Sequence, residues 1–177
     1  MRMIKRLFIL CFFLVIAASC ETYKDYEIEY SPVYPLSGEW IVRFTDASVT
    51  PATTGIFVMS TYNTADNSAT QMWIRVTSTS ATAANVAYTG RFTGKINCDV
   101  AAKTFSGATV ANTFYTTGSV TSQTFTITSG TVVKDGYDTA TGGKSDKITF
   151  TITDTRKPGK IKTVSGFRRT RWLDDEV

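Results

Sequence analysis

From Gly38 onward, apolar and polar residues alternate with a period of two, the pattern of strands with one face buried and one face wet. Trp40, Val42 and Phe44 alternate with Ile41, Arg43 and Thr45, and Ile56 and Val58 with Phe57 and Met59. Met72, Ile74 and Val76 alternate with Gln71, Trp73 and Arg75. Tyr88, Phe92 and Ile96 share a face with Gly90 and Gly94, opposite Thr89, Arg91, Thr93 and Lys95. Phe125 and Ile127 lie among Thr124, Thr126 and Thr128, and Ile148, Phe150 and Ile152 among Thr149, Thr151 and Thr153. Turn signals separate these runs at Pro51, Asn63 to Ser68, Lys134-Asp135-Gly136, Gly142-Gly143 and Lys157-Pro158-Gly159. No segment carries a sustained helical period. The pattern predicts an all-β domain of about eight strands, a sandwich or an antiparallel up-and-down barrel.

Composition strengthens this reading. Thirty-one threonines and fourteen serines make up a quarter of the 177 residues, and β-branched threonine suits a pleated strand with a solvated face. The first residues follow a different rule. Arg2, Lys5 and Arg6 precede twelve apolar residues, Leu7 to Ala18; at about 18 Å this run is too short to span a bilayer and reads as a secretory signal over residues 1–19. Ile16-Ala17-Ala18-Ser19-Cys20 resembles the lipobox of bacterial lipoproteins, which implies that Cys20 becomes the first residue, is acylated and anchors the chain to the membrane of the cell envelope. Residues 20–36, with four tyrosines, five charges and two prolines after Cys20, read as an extended tether, and residues 37–177 as the domain. Without the leader, 16 basic residues face 15 acidic ones (19 − 3 against 15), so the basic balance gives no reason to expect nucleic acid as a partner. Of three cysteines, Cys11 leaves with the leader and Cys20 is acylated, so Cys98 has no disulfide partner and reads as a small buried apolar residue.

Two motifs favour a closed barrel. Gly38-Glu39-Trp40 opens the strand region and Ser165-Gly166-Phe167-Arg168-Arg169 ends it. Lipocalin and calycin barrels begin with a similar Gly-x-Trp and carry an arginine from the last strand across the indole. Closure brings these two strands together, which predicts Arg168, or its neighbour Arg169, over Trp40. Tyr62 to Ser68, Met72-Trp73-Ile74, Val100 to Ser106, Ile127 to Val132 and Ser165 to Thr170 together resemble, in order, a family of bacterial lipoproteins described as lipid-binding putative hydrolases. The resemblance covers about residues 37–176 and implies a lipocalin-like barrel, a bound apolar ligand and a hydrolytic activity. Arg75 stands where the family usually has an acidic residue, and Arg171 where it more often has glycine.

The chemistry available for hydrolysis is narrow. The chain has no histidine, which excludes Ser-His-Asp and Cys-His mechanisms and imidazole metal sites. It has no Gly-x-Ser-x-Gly, Ser-x-x-Lys or phosphate-loop motif. Carboxylates could act as acid and base, and Asp46, Asp99, Asp135, Asp138, Asp146 and Asp154 are the candidates, all in or beside turn signals. Asp135 to Asp146 offers oxygens for calcium but matches no EF-hand spacing. Asp138-Thr139-Ala140 resembles the O-glycosylation signal of some Gram-negative periplasmic proteins. No catalytic residue, metal site or cofactor is assigned. Met59, Met72, Phe92, Phe125 and Phe150 are the candidate lining of a pocket for a lipid or other apolar molecule, with Gly90 and Gly94 leaving room for it. The sequence thus points to a membrane-anchored lipoprotein of the outer membrane, periplasmic or surface-exposed, that binds a hydrophobic or amphipathic ligand. The alternatives are an accessory surface lipoprotein without a pocket and, third, a hydrolase.

Overall fold

The structure, a computed structural model, describes residues 28–46, 55–76, 91–114, 123–155 and 158–176. The leader, Cys20, Pro51, Tyr88 and Gly90 lie outside the described residues. Eight strands follow one another among the described residues: β1 (Gly38–Thr45), β2 (Phe57–Asn63), β3 (Gln71–Val76), β4 (Phe92–Asp99), β5 (Thr104–Ala111), β6 (Thr124–Asp138), β7 (Lys144–Asp154) and β8 (Lys162–Arg168). Each pairs antiparallel with the next, and β8 pairs with β1, which closes the barrel. The closing seam runs from Trp40↔Arg168 to Thr45↔Thr163. The all-β, up-and-down barrel expected from the alternation is the observed fold.

The period of two sets what lies inside. Trp40, Val42 and Phe44 of β1, Met72, Ile74 and Val76 of β3, Phe92 and Ile96 of β4, and Ile148, Phe150 and Ile152 of β7 are all buried in one apolar cluster. Threonines face outward on the neighbouring strands and pair across them. Thr131 and Thr149 hydroxyls lie 2.8 Å apart, and Thr128 bonds Thr151 one row away. These cross-strand hydroxyl pairs give four of the threonines a role in joining β6 to β7.

The structure departs from the sequence reading in three places. Lys134-Asp135-Gly136 is not a turn: it lies inside β6, where register slips between Val133 and Tyr137. Asp135 takes a left-handed conformation (φ 52°) there and its N–H donates to Asp146 Oδ1 at 3.0 Å, so turn-forming residues make a bulge instead. β5 carries no clean alternation because register shifts interrupt its pairing with β6 on both sides of Gly107. The boundary at residue 36 also falls too late. Residues Tyr34–Leu36 form a single 3-10 turn, and Val33 and Leu36 are fully buried in the barrel cluster. The tether's last residues are therefore part of the domain, since two apolar side chains among its prolines cap the barrel end.

Candidate functional site

In this meander the β2–β3, β4–β5 and β6–β7 connections lie at one end, with residues 31–37 packed across it. The Trp40 ring is fully buried there. Its Nε1–H donates to Thr61 Oγ1 at 2.8 Å, and the Thr61 hydroxyl donates to the Leu36 carbonyl at 2.5 Å, which ties the cap to the wall. The Arg168 guanidinium carbon sits 4.6 Å from the Trp40 ring centroid. Arg168 Nε donates to Asp146 at 3.0 Å, Nη2 to the Pro35 carbonyl at 3.3 Å and Nη1 to the Ser37 carbonyl. A stacked cation whose donors are satisfied by the cap fits this partly wet end.

Arg169 points to the other face, as strand alternation requires. It bonds Glu176 at 2.5 and 2.8 Å and Glu39 at 3.3 Å, and the Glu176 carboxyl is held below its ordinary range by this hydrogen-bonded guanidinium. The tail after β8 is pinned a second time by Asp175, which accepts from the Thr141 N–H at 2.9 Å and the Thr170 hydroxyl at 2.8 Å. Burial alone would raise the Asp175 carboxyl, but these bonds outweigh it and leave it below its usual value. Trp172 in the same tail is 69% exposed.

The five side chains expected to line a pocket all point into the barrel. Met59, Met72, Phe92, Phe125 and Phe150 are at most 2% exposed and belong to the core cluster. Gly94 does not leave the free space expected of it. A Cβ there would lie 2.5 Å from Val110 and 2.7 Å from Phe125, so these two side chains already occupy the volume that the missing side chain leaves.

The opposite end, reached by the β1–β2, β3–β4, β5–β6 and β7–β8 connections, has a different character. Phe44 meets Phe57 edge-on at 5.1 Å, and Phe92 meets Phe125 at 5.0 Å. Phe44 and Phe92 join the two pairs at 6.5 Å, so four rings form one layer across the interior. Beyond this layer the inner wall turns polar. Lys162 shares the inward face of β8 with Val164 and Gly166. Its ammonium pairs with Asp154 at 3.3 Å, and the two side chains are only 5% and 8% exposed. Asp46, which follows β1, is 3% exposed. Asn112 locks β4 to β5 at this level: its amide oxygen accepts from Thr93 N–H and its amide nitrogen donates to the Arg91 carbonyl, both at 3.1 Å. Desolvating an ion pair costs about as much as the pair returns, so a buried one is weakly explained by stability alone.

The remaining candidates do not converge on a reacting centre. Asp99 accepts from the Ala102 N–H in its turn, Asp138 pairs with Lys144 on the surface, and Asp146 pairs with Arg168. In the 135–146 segment Asp138 is thus held by Lys144, and Asp146 by Arg168 and the Asp135 N–H, so these carboxylates do not gather around one point. Cys98 is buried, and burial pushes its thiol up, away from the nucleophilic thiolate. Thr139 is 7% exposed and its hydroxyl accepts from the Gly143 N–H at 3.0 Å. The glycosylation-like triplet therefore presents no free hydroxyl. Sequence reasoning missed Lys162 and Thr61. The signal for Lys162 was available: a lysine two residues before Val164, in phase with the buried face of the closing strand.

Comparison with known proteins adds a family. The family described as "Lipid-binding putative hydrolase" matches residues 25–173, so its match begins within the stretch read as tether. No curated protein matches the sequence. Two solved structures are similar at 16% identity. A redesigned β-barrel covers 81% of this chain and 99% of its own with a TM-score of 0.44. A protein of unknown function from Bacteroides ovatus covers 76% of this chain and 42% of its own with a TM-score of 0.42, so the present chain spans less than half of it.

Proposed function

We propose, for a chain that belongs to the lipid-binding putative hydrolase family, that the barrel holds one amphipathic lipid at the end away from Trp40. The acyl chain packs on the Phe44, Phe57, Phe92 and Phe125 rings, and the polar head lies beside Lys162 and Asp154. The observation that carries this reading is the buried Lys162–Asp154 pair on the inner wall next to an aromatic layer. A lipid head presents acceptors that an inward ammonium can satisfy, and its tail replaces water on aromatic faces. The fully buried Trp40 ring, under the cap that Thr61 and Arg168 hold in place, supports a site away from that ring. In this reading Cys20 is acylated and holds the domain on the outer membrane, within reach of lipid. Detergent phase partitioning checks the anchor: the wild-type chain enters the detergent phase and Cys20→Ala stays in water, whereas equal partitioning of both contradicts it.

Calorimetric titration with oleate checks the site. Lys162→Met alone would take a cation away from the buried Asp154 carboxylate, so the informative variant is Lys162→Met with Asp154→Leu. Replacing a buried pair by apolar residues of similar volume is commonly neutral or stabilising by about 1–4 kcal/mol, so the double variant folds. It is expected to bind oleate roughly tenfold more weakly, a loss of about 1.4 kcal/mol. Unchanged affinity would remove the polar head from this position.

A further inference from the structure

The wall formed by β3, β4 and β5 carries a groove that neither Lys162 nor Asp154 lines. β4 and β5 keep register from Asp99↔Thr104 to Asn97↔Ser106. They meet again where the Thr113 N–H donates to the Thr93 carbonyl at 2.8 Å. Between these points no residues of the two strands are paired, and Thr109 sits in a left-handed conformation (φ 50°). The opened seam forms a cavity of about 330 Å³, lined among others by Trp73, Lys95, Asn97, Thr109 and Thr113.

Trp73 forms an aromatic wall of this groove, and its placement follows from register. Tyr62, Trp73 and Lys95 occupy one cross-strand row. The Tyr62 and Trp73 rings lie within 17° of parallel with centroids 6.5 Å apart, and the Lys95 ammonium lies 6.0 Å from the Trp73 ring. Tyr62 is 37% exposed although it is large and apolar over most of its surface. One row away, Gln71 Nε2 donates to Asn97 Oδ1 at 3.4 Å, a long bond that leaves most of both amides' capacity unused.

We propose that this groove binds a saccharide chain. A pyranose ring has an apolar face of C–H groups and an equatorial rim of hydroxyls. The groove and its rim supply a counterpart for each: the Trp73 ring in the lining, with Tyr62 beside it, for the C–H side, and the Asn97 amide, threonine hydroxyls and the Lys95 ammonium for the rim. The small residues Gly107, Ala108 and Ala111 in the lining let a flat ring approach the strands. An extended peptide added along the seam is the competing occupant. It would use the strand edges and has no need of the parallel rings or the paired amides.

Affinity electrophoresis in native gels containing soluble β-glucan, xylan or polygalacturonate tests the proposal. The wild-type domain is expected to be retarded by at least one of the three, and Trp73→Ala to weaken that retardation roughly tenfold. Asn97→Ala removes only an outer-face amide, so it checks the result independently of any folding defect and is expected to weaken binding in the same gel. The Lys162→Met, Asp154→Leu variant is expected to run like wild type, because neither of these residues lines the groove; loss of lipid binding and loss of saccharide binding are therefore read apart. Unretarded mobility in all three gels overturns the proposal. So does retardation that survives both groove substitutions, and so does binding of unfolded casein in place of every polysaccharide, which would assign the groove to peptide.

Discussion

Trp40→Ala is expected to cost about 3–5 kcal/mol of stability, the range for deleting a large buried aromatic side chain. Three things are lost together. The ring is fully buried beneath the cap, so its removal opens a cavity between Leu36 and the barrel floor. The Thr61 hydroxyl loses the donor that orients it towards the Leu36 carbonyl. Arg168 loses the face on which it rests at 4.6 Å, a contact worth on the order of 1 kcal/mol in a partly desolvated setting. For a chain of this size the melting temperature is expected to fall on the order of 10 °C. Trp172→Ala, in the exposed tail, is expected to stay within about 0.5 kcal/mol. Denaturant unfolding of the two variants checks this pair; equal losses would contradict the capped end.

Gly166→Ala is expected to be nearly as damaging although it adds only one methyl group. Gly166 sits opposite Val42 in the seam where the last strand meets the first. A Cβ there would fall onto the Ile41 carbonyl oxygen, 2.7 Å from Val42 Cγ1 and 2.8 Å from Val42 Cα. Two of these atoms are backbone, so relief requires moving β1 away from β8. Overpacking typically costs about 1–3 kcal/mol, and here the upper end applies because the ladder itself must give. Gly142→Ala is the control. It has a left-handed φ of 85° with nothing within 4 Å, so it is expected to lose only about 1 kcal/mol to backbone conformation. A Gly166→Ala barrel as stable as wild type would show that the seam is looser than its register implies.

These two sites show how much was legible in the sequence. The barrel could be read because inward apolar residues alternate with Arg43 and Thr45 on β1, with Gln71, Trp73 and Arg75 on β3, and with Thr149, Thr151 and Thr153 on β7. Closure could be read because Gly-x-Trp and the arginine pair stand at the two chain ends of the strand region. What could not be read depended on bulges and on the third dimension. Lys134-Asp135-Gly136 has turn chemistry, yet Asp146 across the ladder accepts the Asp135 N–H and keeps β6 running to Asp138. β5 was invisible because its register shifts scramble the period. Val33 and Leu36 looked like tether because no periodicity surrounds them, although both are fully buried. Phe125 was recognised as inward, but its occupation of the space over Gly94 follows only from packing. Lys162 was legible by phase and was passed over because a lysine on a buried face contradicts the apolar pattern. Such local conflicts concentrate where function overrides packing.

Methyl chemical-shift mapping tests the central claim most directly. In a protein labelled at isoleucine, leucine and valine methyls, Ile152 and Val76 report on the end beside Lys162, while Leu36 and Ile148 report on the capped end. On addition of oleate, saturable shifts are expected at Ile152 and Val76, with Leu36 and Ile148 unmoved. Shifts centred on Leu36 and Ile148, or no saturable shift at any of these methyls, would contradict a lipid held at the end of the barrel away from Trp40.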